Sequence, residues 1–348
     1  MKKNRSAWID PIKRTIVNTV GVALFYTASL KMIKYIRQKI FKNFRLIILM
    51  YHRVDEPTAD YFNLCVPPSN FEKQMRYLKK NYRVISLKTL AQYIRSKKSL
   101  PDDCVVITFD DGYRDNHTNA YPILKKYGLP ATIFLTIGYI NNNELPWWDR
   151  LARIVEEGRK KIVNLDLPAE ICPERIKKPL SEIFSGETAI SKKKINSLAS
   201  LFKEVSEDQK NLTLNYLEEK ILPPMESSEM LSWTQIKEMS NNNISFGSHT
   251  FTHPILTKVD ADRAKYEILI SRIELERKIG KHFFCFSYPN GTEQDFNEEI
   301  IKMVEESGYV CACSAINGKN GLKNDLFSLR RIWGGDFPLH VFSLRLSI

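Results

Sequence analysis

The sequence predicts an α/β fold in which parallel strands alternate with helices and form a barrel. Two observations support this class. Short apolar runs alternate with stretches of helical pattern through most of the 348 residues, which is typical of strand-helix units around a parallel sheet. Two of these runs, at 104–109 and 244–247, lead directly into acidic or histidine residues. Barrels of this kind carry their catalytic groups at the carboxyl ends of the strands.

The predicted elements follow one another in a regular order. The apolar run 45–50 is the first buried strand. The alternation continues with strand 84–86, helix 87–96, strand 104–109, helix 119–127, strand 131–135, helix 260–279, strand 283–287, helix 296–307 and strand 309–315. Because parallel strands end at one face of a barrel, we expect the residues that follow 45–50, 104–109 and 244–247 to share a site.

The alternation stops between residues 144 and 232, where the pattern is charged and helical. This stretch reads as an insertion into a catalytic domain that spans 45–348. Because it lies between the two motif-bearing strands, it is expected to emerge at the catalytic face, where it could shape a groove or lid. Trp147 and Trp148 open it and either stack on rings of a bound ligand or anchor the packing of a helix.

The first 44 residues form a separate segment in which basic residues flank an uncharged stretch at 15–30. Its 16 residues fall short of the roughly 20 that span a bilayer, and no Ala-x-Ala cleavage site follows. We expect a basic helix that either lies on an anionic membrane surface or docks on the barrel. The net charge of +12 favours the membrane surface, and no nucleic-acid motif is present.

The six cysteines show neither Cys-x-x-Cys spacing nor the pattern of a disulfide framework. We therefore expect reduced thiols. This fits a cytoplasmic protein or one peripheral at a membrane, and export stays open.

Two motifs carry the chemistry: TFDDG at 108–112 and SHTFTH at 248–253. One carboxylate and two imidazoles are a typical ligand set for a catalytic zinc, which keeps a fourth position for water. Asp111, His249 and His253 would supply them, leaving Asp110 as a base. Pro254 disfavours a helix at His253, so the pair differs from the helical histidine pair of metalloproteases.

Together the two motifs resemble the polysaccharide deacetylase family, carbohydrate esterase family 4, over about residues 45–340. The resemblance implies a distorted, incomplete (β/α) barrel. It also implies that Asp110 is the general base, that Asp111, His249 and His253 hold the metal, and that metal-bound water attacks an acetyl group. Zinc is the expected metal, with cobalt or nickel as alternatives.

A third family motif is matched only in part, by FSYPNG at 286–291. In the family this loop offers a backbone N–H to the developing oxyanion, and the Asn290 amide could do so here. Ser287 stands where the family often has an arginine that pairs with the base. Arg331 is the candidate substitute.

The family's C-terminal Leu-x-His motif for the general acid is missing, since His340 has the wrong spacing. YHR at 51–53 follows the first predicted strand and resembles a segment of the deacetylases of exported amino-sugar polymers. That resemblance implies that His52 protonates the leaving amine, a role that suits a group with a pKa near neutrality.

These observations predict a metal-dependent hydrolase of carbon–nitrogen bonds other than peptide bonds, which removes N-acetyl groups from an amino-sugar polysaccharide, such as an exopolysaccharide, or from a glycan precursor. One alternative is an O-acetyl esterase or another amide hydrolase on the same site. Another is a glycan-binding protein without turnover, suggested by the serine at position 287.

Overall fold

The computed structural model describes residues 45–347, apart from short gaps at 98–102, 143, 162–166, 186–190, 224–227 and 281–283, and four isolated positions in the first 44 residues. The predicted N-terminal helix and its membrane contact therefore lie outside the described residues. None of the described helices is long and apolar enough to cross a membrane.

Eight parallel strands of the described residues build the sheet. They are β1 (Leu46–Tyr51), β2 (Arg83–Val84), β3 (Cys104–Phe109), β4 (Ala131–Leu135), β5 (Ile244–Ser248), β6 (Phe286–Ser287), β7 (Ala312–Asn317) and β8 (Leu329–Trp333). β1 pairs with both β3 and β8, which closes a seven-strand barrel, while β2 lies beside the first half of β3. Seven strands are one fewer than in the (β/α)8 barrel. The predicted fold, an incomplete (β/α) barrel, is confirmed.

The sequences of β1 and β3 explain why they lie at the centre. Both are uninterrupted apolar runs, and all six residues of each are buried, as expected of parallel strands covered on both faces. Their register places Tyr51 opposite Phe109. The next residues, His52 and Asp110, therefore begin side by side at the carboxyl edge of the barrel.

Eleven α-helices of the described residues accompany the strands. They are α1 (Pro68–Asn81), α2 (Leu87–Ser96), α3 (Tyr121–Tyr127), α4 (Trp147–Lys161), α5 (Glu174–Phe184), α6 (Lys192–Phe202), α7 (Glu207–Ile221), α8 (Trp233–Ser240), α9 (Ala261–Ile279), α10 (Glu298–Glu306) and α11 (Leu339–Ser347). Their starts are set by the sequence: Ser86, for example, accepts a hydrogen bond from the Thr89 N–H, and Asp260 accepts one from Arg263.

Helices α4 to α7 occupy the stretch between β4 and β5 and have a hydrophobic core of their own. Leu151, Leu180, Phe202 and Leu217 are among its fully buried members, and none of these belongs to the main barrel core. These four helices, here called the insertion helices, thus have an apolar centre separate from the main core of the barrel.

The expectation of reduced thiols is wrong for one pair of cysteines, because Cys285 and Cys311 form a disulfide. They directly precede β6 and β7, whose register pairs Phe286 with Ala312. This brings the two cysteine Cα atoms to 5.0 Å, a separation that suits a disulfide. The other four cysteines are buried.

Candidate active site

The two aspartates of the TFDDG motif lie in a sharp turn directly after β3. Asp111 and Gly112 both have positive φ, +73° and +87°. A Cβ at position 112 would come within 2.8 Å of the Leu135 side chain, so both the conformation and the space there require glycine. The turn separates the two carboxylates into different environments although they are adjacent in sequence.

The two histidines lie on the loop that follows β5, and His253 lies outside any helix, with φ +64°. Buried Glu267 of α9 holds this loop in place. Its carboxylate accepts hydrogen bonds from the Phe251 and Thr252 N–H groups at 2.9 and 2.8 Å and from the Thr252 hydroxyl at 2.6 Å. Glu267 was not foreseen from the sequence, because nothing in the helical pattern of α9 marks it as buried.

Asp111, His249 and His253 converge so that one ligand atom from each lies within 4.8 Å of the others. Asp111 Oδ1 is 3.5 Å from His249 Nε2 and 3.6 Å from His253 Nε2. His249 Nδ1 lies 2.7 Å from the Ser287 carbonyl oxygen, which assigns the proton to Nδ1 and leaves the Nε2 lone pair facing Asp111.

The electrostatics of this triad fit a divalent cation. Asp111 Oδ1 is buried and has no hydrogen-bond partner among the described residues. Burial, followed by the charge of Asp110, raises the pKa of Asp111 well above its usual value, while burial lowers the pKa of His249 and His253. The imidazoles are therefore neutral, as metal ligands must be, and a cation would compensate the buried carboxylate.

Arg331 of β8 lies against the other aspartate. Its Nη1 and Nη2 atoms donate to Asp110 Oδ1 and Oδ2, both at 2.7 Å, and its Nη2 also donates to Ser287 Oγ at 2.9 Å. Burial tends to raise the pKa of Asp110, but the charges of Arg331 and His249 and the hydrogen bonds from Arg331 together outweigh it and hold this pKa well below its usual value. The structure thus brings together the base candidate and its candidate arginine partner.

His52 lies at the same edge of the barrel, with its ring centroid 5.3 Å from that of Trp333. Its buried Nδ1 has no hydrogen-bond partner among the described residues. Burial lowers the pKa of His52 to about 4, although the negative charge of Asp110 opposes the shift. The imidazole is therefore neutral near pH 7, in contrast to the near-neutral pKa on which its predicted role rests.

Asn290 lies in a turn with φ +62°. The Ala315 N–H donates to the Gly291 carbonyl at 2.8 Å, which ties this turn to β7. The Asn290 side-chain oxygen accepts a hydrogen bond from Lys203 Nζ at 2.9 Å. The neighbouring Tyr288 N–H donates to the Cys313 carbonyl at 3.1 Å and is therefore already used within the sheet.

All seven predicted site residues except Arg331 line one cavity of about 430 Å³, and Arg331 contacts it through Asp110. The barrel supplies one wall and the insertion helices the other. The wall residues from the insertion, which sequence reasoning missed apart from the tryptophans, are Trp147, Trp148, Asn196, Ala199, Ser200, Lys203 and Lys210. Trp333 was also missed, although its place at the end of β8 could have indicated it.

The tryptophan pair anchors the insertion to the site. Both residues are 8% exposed. Trp148 Nε1 donates to the Tyr113 hydroxyl at 2.8 Å, and its ring lies 4.6 Å from the His253 ring. Trp147 stacks on Phe202 within the insertion core. Both residues therefore anchor the packing of the insertion, and both also line the cavity.

Comparison with known proteins identifies the family. The family model described as polysaccharide deacetylase matches residues 97–164 and 204–312, just over half of the chain. The chain belongs to the polysaccharide deacetylase family. This confirms the resemblance and the predicted class of enzyme: the protein is a carbohydrate deacetylase, a hydrolase that acts on carbon–nitrogen bonds.

Several curated relatives share this assignment. A putative polysaccharide deacetylase of Bacillus subtilis, YxkH, is 25% identical over 83% of this chain and 71% of its own length. The poly-beta-1,6-N-acetyl-D-glucosamine N-deacetylase of Staphylococcus aureus is 31% identical over 32% of this chain and 43% of its own length. For the enzyme of that name from Escherichia coli, the match is 34% over 24% of this chain and 13% of the relative.

Solved structures share the fold of this polysaccharide deacetylase. A Streptococcus pyogenes deacetylase, PplD, in complex with acetate aligns with a TM-score of 0.54 and 22% identity, covering 83% of this chain and 92% of that one. IcaB from Ammonifex degensii aligns with a TM-score of 0.53 and 17% identity, covering 87% and 96%.

Proposed function

We propose that this enzyme removes N-acetyl groups from an amino-sugar glycan with the help of one divalent metal ion, zinc in the first place. The observation that carries the proposal is the meeting, in one cavity, of the Asp111–His249–His253 triad with the Asp110–Arg331 pair. The relatives named poly-beta-1,6-N-acetyl-D-glucosamine N-deacetylase support a polymer of this kind. The two histidine nitrogens suit zinc, cobalt or nickel.

In this proposal Asp111, His249 and His253 hold the metal. A bound divalent ion would lower the pKa of a water molecule and polarise the acetyl carbonyl. Asp110 accepts the proton of the attacking water. Its carboxylate offers about four acceptor positions. Arg331 occupies two of them and the Ser287 hydroxyl a third, at 3.4 Å, so one stays open to the water. The arginine fixes the orientation of the carboxylate and keeps it ionised.

His52 delivers a proton to the nitrogen of the leaving group. It is neutral in the free enzyme and its Nδ1 has no hydrogen-bond partner among the described residues, so it can receive the proton that Asp110 takes from the attacking water. The low pKa then makes the imidazolium a strong acid, which favours transfer to the leaving nitrogen. The Asn290 backbone N–H is the proposed donor to the oxyanion, from the turn that β7 holds in place.

Acetate release tests this function. Metal-stripped protein, with and without restored zinc, is given N-acetylglucosamine oligomers and, in parallel, O-acetylated sugars of equal length. We expect zinc-dependent release from the N-acetylated oligomers and its loss in Asp110→Asn. Release from the O-acetylated sugars alone would indicate an esterase instead. Tight binding of oligomers without release of acetate would indicate a glycan-binding protein.

A further inference from the structure

The cavity wall formed by the insertion helices carries a positive charge that no acidic group neutralises directly. Lys203 follows α6 and lines the cavity. Its Nζ donates to the neutral amide oxygen of Asn290 at 2.9 Å, and no carboxylate of the described residues lies within ion-pair distance. Burial lowers the pKa of Lys203, while the charge of Asp295 partly opposes this shift.

A second lysine lies on the same wall. Lys210 of α7 is only 2% exposed, and its Nζ is 4.9 Å from the centroid of the Trp147 ring. It differs from Lys203 in having an acidic partner, Glu207, at 2.7 Å. Both lysines line the same cavity as His249 and His253.

Among the described side chains on the barrel side of the cavity, no cation lacks an acidic partner. Arg331 is neutralised by Asp110 through two hydrogen bonds, and Asp111 is available to a metal ion. Lys203 is half-buried. A cation that is partly withdrawn from water without a counter-charge is unfavourable, and an incoming anion lowers that penalty. Of the charged side chains in this cavity, Lys203 is therefore the one that an anionic group of the ligand can best neutralise.

We propose that the insertion wall binds an anionic substituent of the substrate, a carboxylate or a phosphate, through Lys203 with support from Lys210. The glycan then carries this negative charge on or next to the sugar that is deacetylated. The inference rests on the proposed function and adds a substrate class to it. The barrel performs the hydrolysis, and the insertion selects acidic amino-sugar glycans over neutral ones.

The test compares oligomers of equal length: neutral N-acetylglucosamine, the same with a carboxylate on alternate sugars, and the same with a phosphate. Lys203→Gln removes the charge but keeps a donor for the Asn290 side chain, and Lys203→Arg keeps the charge. Lys193→Gln, at an exposed lysine of the same helix, is the control for net charge.

We expect the zinc-loaded wild type to prefer an anionic oligomer by at least about tenfold in kcat/KM, mainly through KM. Lys203→Gln should lose this preference, while Lys203→Arg and Lys193→Gln retain it. The carboxylate and phosphate oligomers show which anion is used.

Four results would overturn the inference. Equal use of neutral and anionic oligomers by the wild type would leave the proposed function standing and remove the anion site. An unchanged preference in Lys203→Gln would also remove it. Equal losses of activity on all oligomers in Lys203→Gln would mean that the lysine only holds Asn290 in place. Absence of acetate release from every oligomer would instead reject the proposed function, and this inference with it.

Discussion

The two walls of the cavity differ in how their charges are arranged. On the barrel side, Asp110 and Arg331 are almost fully buried and neutralise each other, and the triad is arranged for a cation. On the insertion side, Lys203 contacts a neutral amide. Buried charges that are matched in advance can fix reacting groups in place, whereas an unmatched one favours a ligand of opposite charge. In the proposed function, the barrel wall performs the hydrolysis and the insertion wall selects the substrate.

Replacing a metal ligand should have the largest effect, because it acts at the centre of the barrel wall. In His249→Ala we expect zinc affinity to fall by more than about 100-fold, since even the groups that orient metal ligands contribute 10- to 100-fold. Activity should fall with it. Isothermal titration with zinc measures the affinity, and His117→Gln, away from the triad, serves as control. Unchanged affinity in His249→Ala would remove the triad as the metal site.

Asp110→Asn should separate catalysis from metal binding. We expect kcat to fall by about 10²- to 10⁴-fold, the range for loss of a general base, while zinc affinity changes little because Asp110 is not a ligand. A steady-state assay on the N-acetylated oligomer, combined with zinc titration, measures both. A loss of zinc affinity comparable to that of His249→Ala would contradict the division of roles between the two aspartates.

The same substitution should also change stability and its pH dependence. It leaves Arg331 buried without its partner, which costs about 3–5 kcal/mol. Because the pKa of Asp110 is held well below its usual value, its ionised form stabilises the wild-type apoprotein above about pH 4, and this stability is lost as the pH falls further. Urea unfolding from pH 3 to 7 should show this loss in the wild type and less of it in Asp110→Asn.

Glu267→Gln should weaken the histidine loop without removing a ligand. A neutral amide replaces the charged acceptor of three hydrogen bonds, so we expect zinc affinity to fall by about 10- to 100-fold. Excess zinc should restore most of the activity. The matched control is Glu274→Gln, on an outward part of the same helix, where the carboxylate pairs with Arg277. Equal zinc affinity in the two variants would remove Glu267 from the support of the site.

The smallest effect on the metal site should come from the insertion core. Leu217→Ala creates a cavity there and should lower the free energy of unfolding by about 2–5 kcal/mol, while zinc affinity stays within about twofold because the ligands belong to the barrel. Thermal unfolding and zinc titration on the same variant measure the two effects. A large loss of zinc affinity would mean that the two regions form one unit.

The sequence was most informative where candidate catalytic or metal-binding residues follow a buried strand. The apolar runs 104–109 and 244–247 located the aspartates and histidines, because parallel strands end at a common edge. Arg331, which is 221 residues away from Asp110, was found as a candidate only because the family resemblance left a missing arginine to replace.

Other features depend on distances that no local pattern contains. The disulfide requires the register of β6 against β7, and the low pKa of His52 requires the depth at which its ring is buried. Lys203 has an ordinary place after an amphipathic helix, and only the packing of the insertion against the barrel brings it to Asn290. The predicted membrane contact of residues 1–44 stays a prediction.

The most direct measurement is a zinc titration of metal-stripped protein in which bound zinc and acetate release from an N-acetylated oligomer are followed together. The account predicts that activity is absent without metal, rises in proportion to bound zinc and reaches its plateau at one equivalent per chain. Full activity in the stripped protein, or stoichiometric zinc binding without any release of acetate from neutral or anionic oligomers, would contradict a single-metal deacetylase built on Asp111, His249 and His253.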